Sequence, residues 1–133
     1  MIPSTSTILT DEVEVITQPS KTYKMRTNNV INGHCDGNEA MIQAVYKILN
    51  TERYDYIIYS WDYGIELCDL FGKPVDFVCL ELQRRISEAL LQDDRITSVT
   101  DFEFDTKRKR TVTANFTVHT IYGDVQGEKA VNI

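Results

Sequence analysis

Acidic side chains are the most numerous residues here that could carry out chemistry, since 20 of the 133 residues are Asp or Glu. Two carboxylates could serve a muramidase-like hydrolase, which needs a pair of acids at a defined separation with pKa values pushed apart. Asp62, Glu66, Glu81 and Glu103 are candidates by type alone, because no pattern selects two of them. The sequence therefore predicts no catalytic residue, and hydrolysis of cell-wall sugars stays as the alternative function.

Histidine and cysteine add no further candidate site. His34 and His119 are too isolated in the sequence to indicate a metal site or a catalytic triad, and Cys35, Cys68 and Cys79 have no CxxC spacing. We expect three reduced, buried thiols, because free cysteine behaves as a small hydrophobe. The glycines match no phosphate-binding loop, so no metal and no other cofactor is predicted.

The four residues QDDR at 92–95 are electrostatically unusual. Asp93 and Asp94 lie at the end of a predicted helix, where the negative backbone dipole makes a carboxylate unfavourable by about a few tenths of a kcal/mol. Compensation must come from Arg95, from an arginine of the helix, or from a partner protein. A locally unfavourable choice is typical of a functional site, and a solvated helix end is the alternative.

The segment WDYGIEL at 61–67 is the densest in unusual residues. Trp61 and Tyr63 are costly to expose, and Gly64 permits a backbone turn that other residues resist. Aromatic side chains concentrate at the centres of protein interfaces, which favours a docking surface. A corner in which Trp61 covers the core is the alternative. The acidic residues assigned to the same candidate interaction surface are Asp62 and Glu66.

Charge argues against nucleic acid as a partner. The net charge is −6 and the sequence pI is about 4.8, whereas binding to nucleic acid needs many phosphate contacts from Lys and Arg. The one dense basic cluster, KRKR at 107–110, fits a solvated hairpin tip, with contact to nucleic acid or to an acidic partner as the alternative.

Two amphipathic helices are predicted. The first begins near Asp36, which can form a capping box with Glu39, and it ends near Asn50. The second runs from about Asp76 to Gln92. The core-facing residues recur at helical spacing: Met41, Ala44, Val45, Ile48 and Leu49 in the first helix, and Val78, Leu82, Ile86, Ala89 and Leu90 in the second.

Strands are predicted before and after the helices. Period-2 alternation at 96–105 and 111–122 predicts two long strands joined by the basic tip, followed by a last short strand that ends at Val131. Residues 22–31 fit a hairpin that turns at Asn28 and Asn29. Between the helices, the aromatic and β-branched residues 54–60 favour a short strand or extended segment, and a short helix follows before Gly72.

This order of elements favours an α+β fold over a parallel βαβ arrangement. We predict a single domain over residues 21–133, in which two main helices pack on a small antiparallel sheet, with an extended N-terminal arm at residues 1–20. No apolar run reaches the ~18 residues that a membrane span needs, and no secretory signal is visible, so no membrane attachment is predicted.

Three motifs, in order along the chain, carry a resemblance to a known family. They are PSKTYKM (19–25), INGHCDGNEAMIQAVYKILNTERYDYIIYSWDYGIELCDLFGK (31–73) and RRISEALLQDDRITSVTDFEF (84–104). On these motifs, the chain resembles the PBSX-type prophage tail proteins of Gram-positive bacteria. That family is in turn similar to the small baseplate wedge proteins of contractile phage tails and of type VI secretion, some of which carry a lysozyme-like label.

The wedge proteins share two motifs that can be followed in this sequence. The first is a helix that carries Gln and ends in a Leu-Thr-like segment, which Gln43, Leu49 and Thr51 match. The second is Glu-Pro-Arg after the second helix, where this chain has Asp93, Asp94 and Arg95. The acid and the arginine are kept, but proline is replaced, which weakens the transfer of that motif's role.

The resemblance implies a structural sheath initiator and not an enzyme. Such a protein joins the baseplate wedge ring to the first sheath subunits by protein–protein contacts that include pairing of a sheet edge. The implied partners are other baseplate wedge proteins and the tail sheath protein, without a small-molecule substrate. The implied location is the bacterial host cytoplasm during assembly and then the tail baseplate of a phage or phage-like particle.

Overall fold

The computed structural model describes residues 19–25 and 30–133, which form an α+β fold as predicted. In chain order its elements are β1 (Thr22–Met25), β2 (Ile31–Cys35), α1 (Gly37–Leu49), a 3-10 helix (Cys68–Leu70), α2 (Val75–Leu91), β3 (Ile96–Asp105), β4 (Thr111–Thr120) and β5 (Gly123–Asn132). Residues 1–18 of the predicted arm and the predicted turn at Asn28 and Asn29 lie outside the described residues.

The last three strands form an antiparallel sheet in the order β3-β4-β5, and β1 and β2 form a separate hairpin. β4 and β5 pair without interruption from Thr111 opposite Asn132 to Thr120 opposite Gly123. α1 packs on β5, and α2 packs on β3 and β4. Both helices therefore cover the same face of the three-stranded sheet.

The core lies between the helices and this sheet, and the predicted faces supply it. All five residues predicted for the core face of α2 are buried, and so are four of the five predicted for α1. The exception is Ala44, which is only partly buried, while Ala40, which was not predicted, is buried. In β4 the alternation is confirmed over the buried residues Val112, Ala114, Phe116 and Val118. Apolar burial of this kind contributes roughly 25 cal/mol per Å² of surface removed from water.

Two bulges interrupt β3, one between Ile96 and Ser98 and one between Thr100 and Glu103. Asp101, with φ of 58°, lies in the second bulge. Each bulge adds one residue to β3 and reverses the alternation of its side chains. Val99 can therefore pack against the core together with Phe102 and Phe104, although strict alternation would separate Val99 from them.

The short strand or extended segment predicted at residues 54–60 is wrong, because these residues form consecutive turns. The backbone N–H of Ile65 donates to Thr51 at 3.0 Å, and that of Arg53 donates to Ile65 at 3.2 Å. These bonds join the two ends of the intervening segment and force it into a loop. Tyr54 enters the loop with a positive φ of 74°. The short helix predicted after this segment is confirmed as the 3-10 helix.

Two local predictions need correction. Asp36 caps α1 by accepting from the backbone of Gly37 at 2.7 Å, but Glu39 pairs with Lys24 of β1 at 2.5 Å rather than completing a capping box. The thiols of Cys35, Cys68 and Cys79 are free, but only Cys35 is buried. Cys68 is exposed because it begins the 3-10 helix at the surface.

Candidate protein-interaction site

The Asp93–Arg95 pair closes the corner between α2 and β3. Asp93 Oδ1 accepts from the backbone N–H of Arg95 and from its Nε, both at 3.0 Å, and Oδ2 accepts from a terminal guanidinium nitrogen at 2.7 Å. Less than a fifth of either side chain is exposed. The cation predicted to compensate the acid at this helix end is therefore Arg95.

Burial raises the pKa of Asp93, but the hydrogen bonds and the charge of Arg95 outweigh burial, so the net pKa lies below its ordinary value. The same hydrogen bonds raise the pKa of Arg95. Asp93 is consequently a fixed carboxylate at neutral pH, with both oxygens occupied inside the molecule.

The corner also holds the chain that leads into β1. Arg95 donates through its other terminal nitrogen to Ser20 Oγ at 3.3 Å, and Ser20 donates to the hydroxyl oxygen of Tyr122 at 2.6 Å. Ser20 is buried. This network ties the β4–β5 turn and the start of the described chain to the end of α2.

Two adjacent cavities border this corner and form one groove. Their volumes are about 360 and 330 Å³, and both are lined by Pro19, Ile48, Tyr63, Asp93 and Arg95. The first extends to Ser60, Asp62, Gln92 and Asp94, and the second extends along α1 to Gln43, Ala44 and Lys47.

The groove brings together six of the nine residues assigned from the sequence to a protein-interaction surface: Gln43, Asp62, Tyr63, Asp93, Asp94 and Arg95. Thr51, Trp61 and Glu66 are not among its lining residues. Thr51 donates to the carbonyl of Lys47 at 2.7 Å, and the carbonyl of Glu66 accepts from Arg85 at 2.8 Å. The alternative in which Trp61 covers the core is wrong, since 79% of this residue is exposed.

Gln43 binds the backbone of β1 and so holds the hairpin on α1. Its Oε1 accepts from the N–H of Met25 at 2.9 Å, and its Nε2 donates to the carbonyl of Tyr23 at 2.8 Å. The side chain amide thus makes two hydrogen bonds of the kind that a neighbouring strand would make. A helical glutamine with this role gives no signal in the sequence that separates it from a solvated one.

Two arginines that sequence analysis did not assign hold the segment between the helices. Arg53 donates to the carbonyl of Gly64 at 3.1 Å and to Glu88 of α2 at 3.2 Å. Arg85 donates to Asp69 of the 3-10 helix and to Glu81 of α2. The pair between Arg85 and Glu81 has the i, i+4 spacing of a helix, but Glu88 is 35 residues from Arg53 and Asp69 is 16 residues from Arg85, so local sequence patterns could not identify these partners.

Asp62 and Asp93, two carboxyls of the groove, do not have the raised pKa of a glycosidase acid. Such an enzyme keeps one carboxyl protonated by raising its pKa. Hydrogen bonding from Ser60 instead lowers the pKa of Asp62, and Arg95 lowers that of Asp93. Both are ionised at neutral pH, so neither can act as the general acid.

His119 is less isolated than its sequence position suggests. Its Nδ1 lies 2.7 Å from Asp124, and its Nε2 lies 2.7 Å from the hydroxyl of Thr100. Thr100 is in β3, His119 in β4 and Asp124 in β5. All three lie on the sheet face away from the helices, outside the groove. Within residues 19–25 and 30–133, no cluster of His, Cys, Asp and Glu could hold a metal ion.

The basic tip predicted at residues 107–110 is confirmed as the exposed connection between β3 and β4. In the described part of the chain, none of its four cations lies within 4.0 Å of a carboxylate. Among the helices that the structure describes, none has both the length and the apolar character needed to cross a membrane.

Comparison with known proteins places the chain in a family of tail assembly proteins. The model of the family described as contractile injection system sheath initiator matches residues 7–123, which is most of the chain, so the protein belongs to that family. It therefore has a structural role in a contractile phage-type tail.

One curated relative is the phage-like element PBSX protein XkdS of Bacillus subtilis (strain 168). It is 41% identical over 125 residues, which are 90% of this chain and 87% of that protein. The predicted resemblance to PBSX-type tail proteins is confirmed.

Proposed function

We propose that this protein joins the baseplate wedge ring to the first sheath subunits, and that the outer edge of β5 pairs with a strand of the sheath protein. The observation that carries the proposal is the ten-residue strand β5, which among the described residues is paired only with β4. An extended segment that adds to such an edge gains main-chain hydrogen bonds for affinity and alternate side-chain contacts for register.

The register of β4 and β5 identifies the backbone groups that would pair. Side chains hydrogen-bond across the strands at Thr111–Asn132, Thr117–Gln126 and His119–Asp124. The β4 residues of these three pairs are an even number of positions apart, so all three pairs are of the same type in the alternating ladder. Contact between their side chains indicates non-hydrogen-bonded pairs, in which side chains lie closer. We infer that the N–H and C=O groups of Asp124, Gln126, Glu128, Ala130 and Asn132 point away from β4 and toward an incoming strand.

The composition of β5 supports an edge that stays soluble until assembly. Asp124 and Glu128 are exposed, and charged side chains on an edge strand oppose pairing between copies of the same chain. A sheath strand with Lys or Arg at the facing positions would relieve that repulsion. The edge would therefore select its partner by charge as well as by register.

On the wedge side, we propose that the groove contacts another baseplate wedge protein through Asp62, Tyr63 and Asp94. Asp93 and Arg95 would keep the shape of this surface, since their polar groups bond to each other. Gln43, Thr51 and Glu66 would position the elements around the surface, while Trp61 would contact a partner directly. No substrate is turned over in this proposal, and the protein acts in the host cytoplasm and then in the baseplate.

The decisive experiment replaces Glu128 by Pro. Proline removes the outward N–H but is tolerated on edge strands, so the fold should remain while sheath pairing is lost. Purified variant and wild type are mixed with the tail sheath protein of the same particle, and sheath polymerisation is followed by light scattering and electron microscopy. We expect the variant to give no nucleation, so that sheath polymerises at the rate of spontaneous assembly.

Glu128→Thr is the matched control, because it removes the same charge and keeps the N–H. This variant should nucleate sheath at close to the wild-type rate. Thermal melts of both variants establish that the fold is kept. Undiminished nucleation by a folded Glu128→Pro protein would rule out pairing at this edge.

A further inference from the structure

We propose that residues 54–61, named the apolar loop here, insert into an apolar cleft bordered by Lys or Arg on a neighbouring protein of the baseplate. This inference rests on the proposed function, because it states the chemistry of the partner on the wedge side. It adds a contact that is separate in the chain from the edge of β5.

Large apolar side chains are concentrated on the surface of the apolar loop. Ile57 and Ile58 are 103% and 85% exposed, Trp61 is 79% exposed, and more than half of Tyr54 and Tyr56 is exposed. Contiguous exposed apolar surface on a soluble protein marks a site of interaction. Each aromatic side chain can bury roughly 150–250 Å², so this loop alone can supply much of the ~800 Å² that one partner contributes to a standard interface.

The apolar loop is held in shape from both ends. Its ends are joined through the backbone bonds among Thr51, Arg53 and Ile65, and the guanidinium of Arg53 donates to the carbonyl of Gly64. Gly64 has a positive φ of 91°, and a Cβ there would lie 2.6 Å from the carbonyl oxygen of Thr51. Only glycine therefore allows this close approach of the two chain segments.

Aromatic contacts order the interior of the apolar loop. The rings of Tyr56 and Tyr59 meet edge to face at 6.0 Å, and Tyr59 stacks on Tyr63 at 4.6 Å. Tyr54 keeps a φ of 74°, which is rare for a bulky residue and is found where the surroundings enforce it. A loop ordered before binding loses little conformational entropy when it docks.

Charge identifies the border of the partner cleft. Asp55 lies within the apolar loop, and Asp62 directly follows it. Both are exposed, while residues 54–61 contain no Lys or Arg. A cleft bordered by basic residues would complement this surface and orient the approach. The same acids, on a chain of net charge −6, oppose insertion into a membrane with anionic lipids, so the observations favour a protein partner.

The test introduces Ile57→Ser with Ile58→Ser into the full-length protein in a strain that assembles the tail particle. Because both side chains are exposed, the melting temperature should stay within a few degrees of the wild type. Loss of the two apolar contacts should lower the amount of this protein in purified baseplates by about tenfold or more. Quantitative mass spectrometry of the baseplates gives the measurement.

Leu80→Ser is the control, because Leu80 is 72% exposed on α2 and lies outside the apolar loop. It should be incorporated normally. A charge-reversal variant, Asp55→Lys with Asp62→Lys, should also fail to incorporate. A photo-crosslinking amino acid at position 58 should capture a wedge protein of the same particle. Normal incorporation of the double serine variant would overturn the proposal.

Two other occupants are tested with the same double serine variant. Binding of the wild type, but not of the variant, to vesicles of phosphatidylcholine and phosphatidylglycerol would assign the loop to a bilayer and overturn the proposal. A dimer that the variant abolishes in sedimentation velocity would assign the loop to a second copy and also overturn it. The variant should still nucleate sheath in solution, so failure here is distinguishable from failure of pairing at β5.

Discussion

At the scale of single residues, the acid at the end of α2 is stabilised by the residue two positions later. Asp93 lies where the helix dipole is unfavourable by about a few tenths of a kcal/mol, but it gains three hydrogen bonds from Arg95. A hydrogen bond that involves a charged group is worth roughly 1.5–3 kcal/mol. The local gain therefore exceeds the dipole cost, and a partner protein is not needed to compensate Asp93.

The pair makes stability depend on pH in a definite direction. The folded pKa of Asp93 is lowered relative to about 3.9 in an unfolded chain. Its stabilisation is complete above that unfolded value and is lost as the pH falls through the folded pKa. We expect Asp93→Asn to lose about 1–3 kcal/mol at pH 7, and this difference from the wild type should shrink below pH 4.

Urea unfolding of both proteins at pH 7, 5, 4 and 3 measures the difference. Asp94→Asn is the matched control, since the adjacent Asp94 is exposed and should change stability by no more than about 0.5 kcal/mol. A difference between wild type and Asp93→Asn that is the same at pH 7 and pH 3 would contradict the assignment.

What sequence reasoning could reach at this scale depends on distance along the chain. The need of Asp93 for a cation follows from its position on a helix, and Arg95 is close enough to be named in advance. Ser20 and Tyr122, the other members of the network, are 102 residues apart. Nothing in their local sequence requires them to meet, so only the tertiary structure reveals them.

At the scale of elements, patterned segments were predictable and the unpatterned link was not. The apolar face of α2 and the alternation of β4 each define a buried side without reference to other elements. Residues 54–60 have the composition of a strand, but a strand needs a neighbour with which to pair. The backbone N–H of Ile65 donates to Thr51 and that of Arg53 donates to Ile65, and these bonds close the segment into a loop. Tertiary context therefore overrides β propensity here.

Gly64 should be the residue on which this link depends most. Gly64→Ala combines a positive φ with a Cβ 2.6 Å from a backbone oxygen, so we expect a loss of about 3 kcal/mol or more in the free energy of unfolding. Gly72→Ala is the matched control, because Gly72 also has a positive φ, of 80°, but no atom lies within 4 Å of its added Cβ.

The control should lose only the roughly 1–2 kcal/mol of the backbone conformation itself. Chemical denaturation of the two variants gives both values. Equal losses at the two glycines would mean that the close approach of Thr51 to Gly64 adds nothing to the cost of the Gly64→Ala substitution.

At the scale of the whole molecule, the contacts proposed for the wedge side, through the groove and the apolar loop, lie on different elements from the contact proposed for the sheath. The apolar loop belongs to the link between α1 and α2, whereas the outer edge of β5 belongs to the sheet. The core between helices and sheet connects them through α1, which packs on β5 and ends just before the loop. A connector needs two such surfaces. Both can bind their partners at the same time without a change of conformation at either one.

This separation predicts opposite behaviour of two variants when each is produced in excess over the wild type. Glu128→Pro keeps the apolar loop and should occupy positions in the baseplate without recruiting sheath, so it should lower the yield of sheathed tails. Ile57→Ser with Ile58→Ser should fail to compete for those positions, so the wild-type copy should remain in the baseplates. Combining all three substitutions should remove the inhibition caused by Glu128→Pro, because a protein without the contact of the apolar loop cannot occupy positions in the baseplate. Electron microscopy of tails from strains that carry the wild-type copy as well gives the fraction with sheath. Inhibition that persists in the combined variant would show that the baseplate holds this protein by a surface other than the apolar loop.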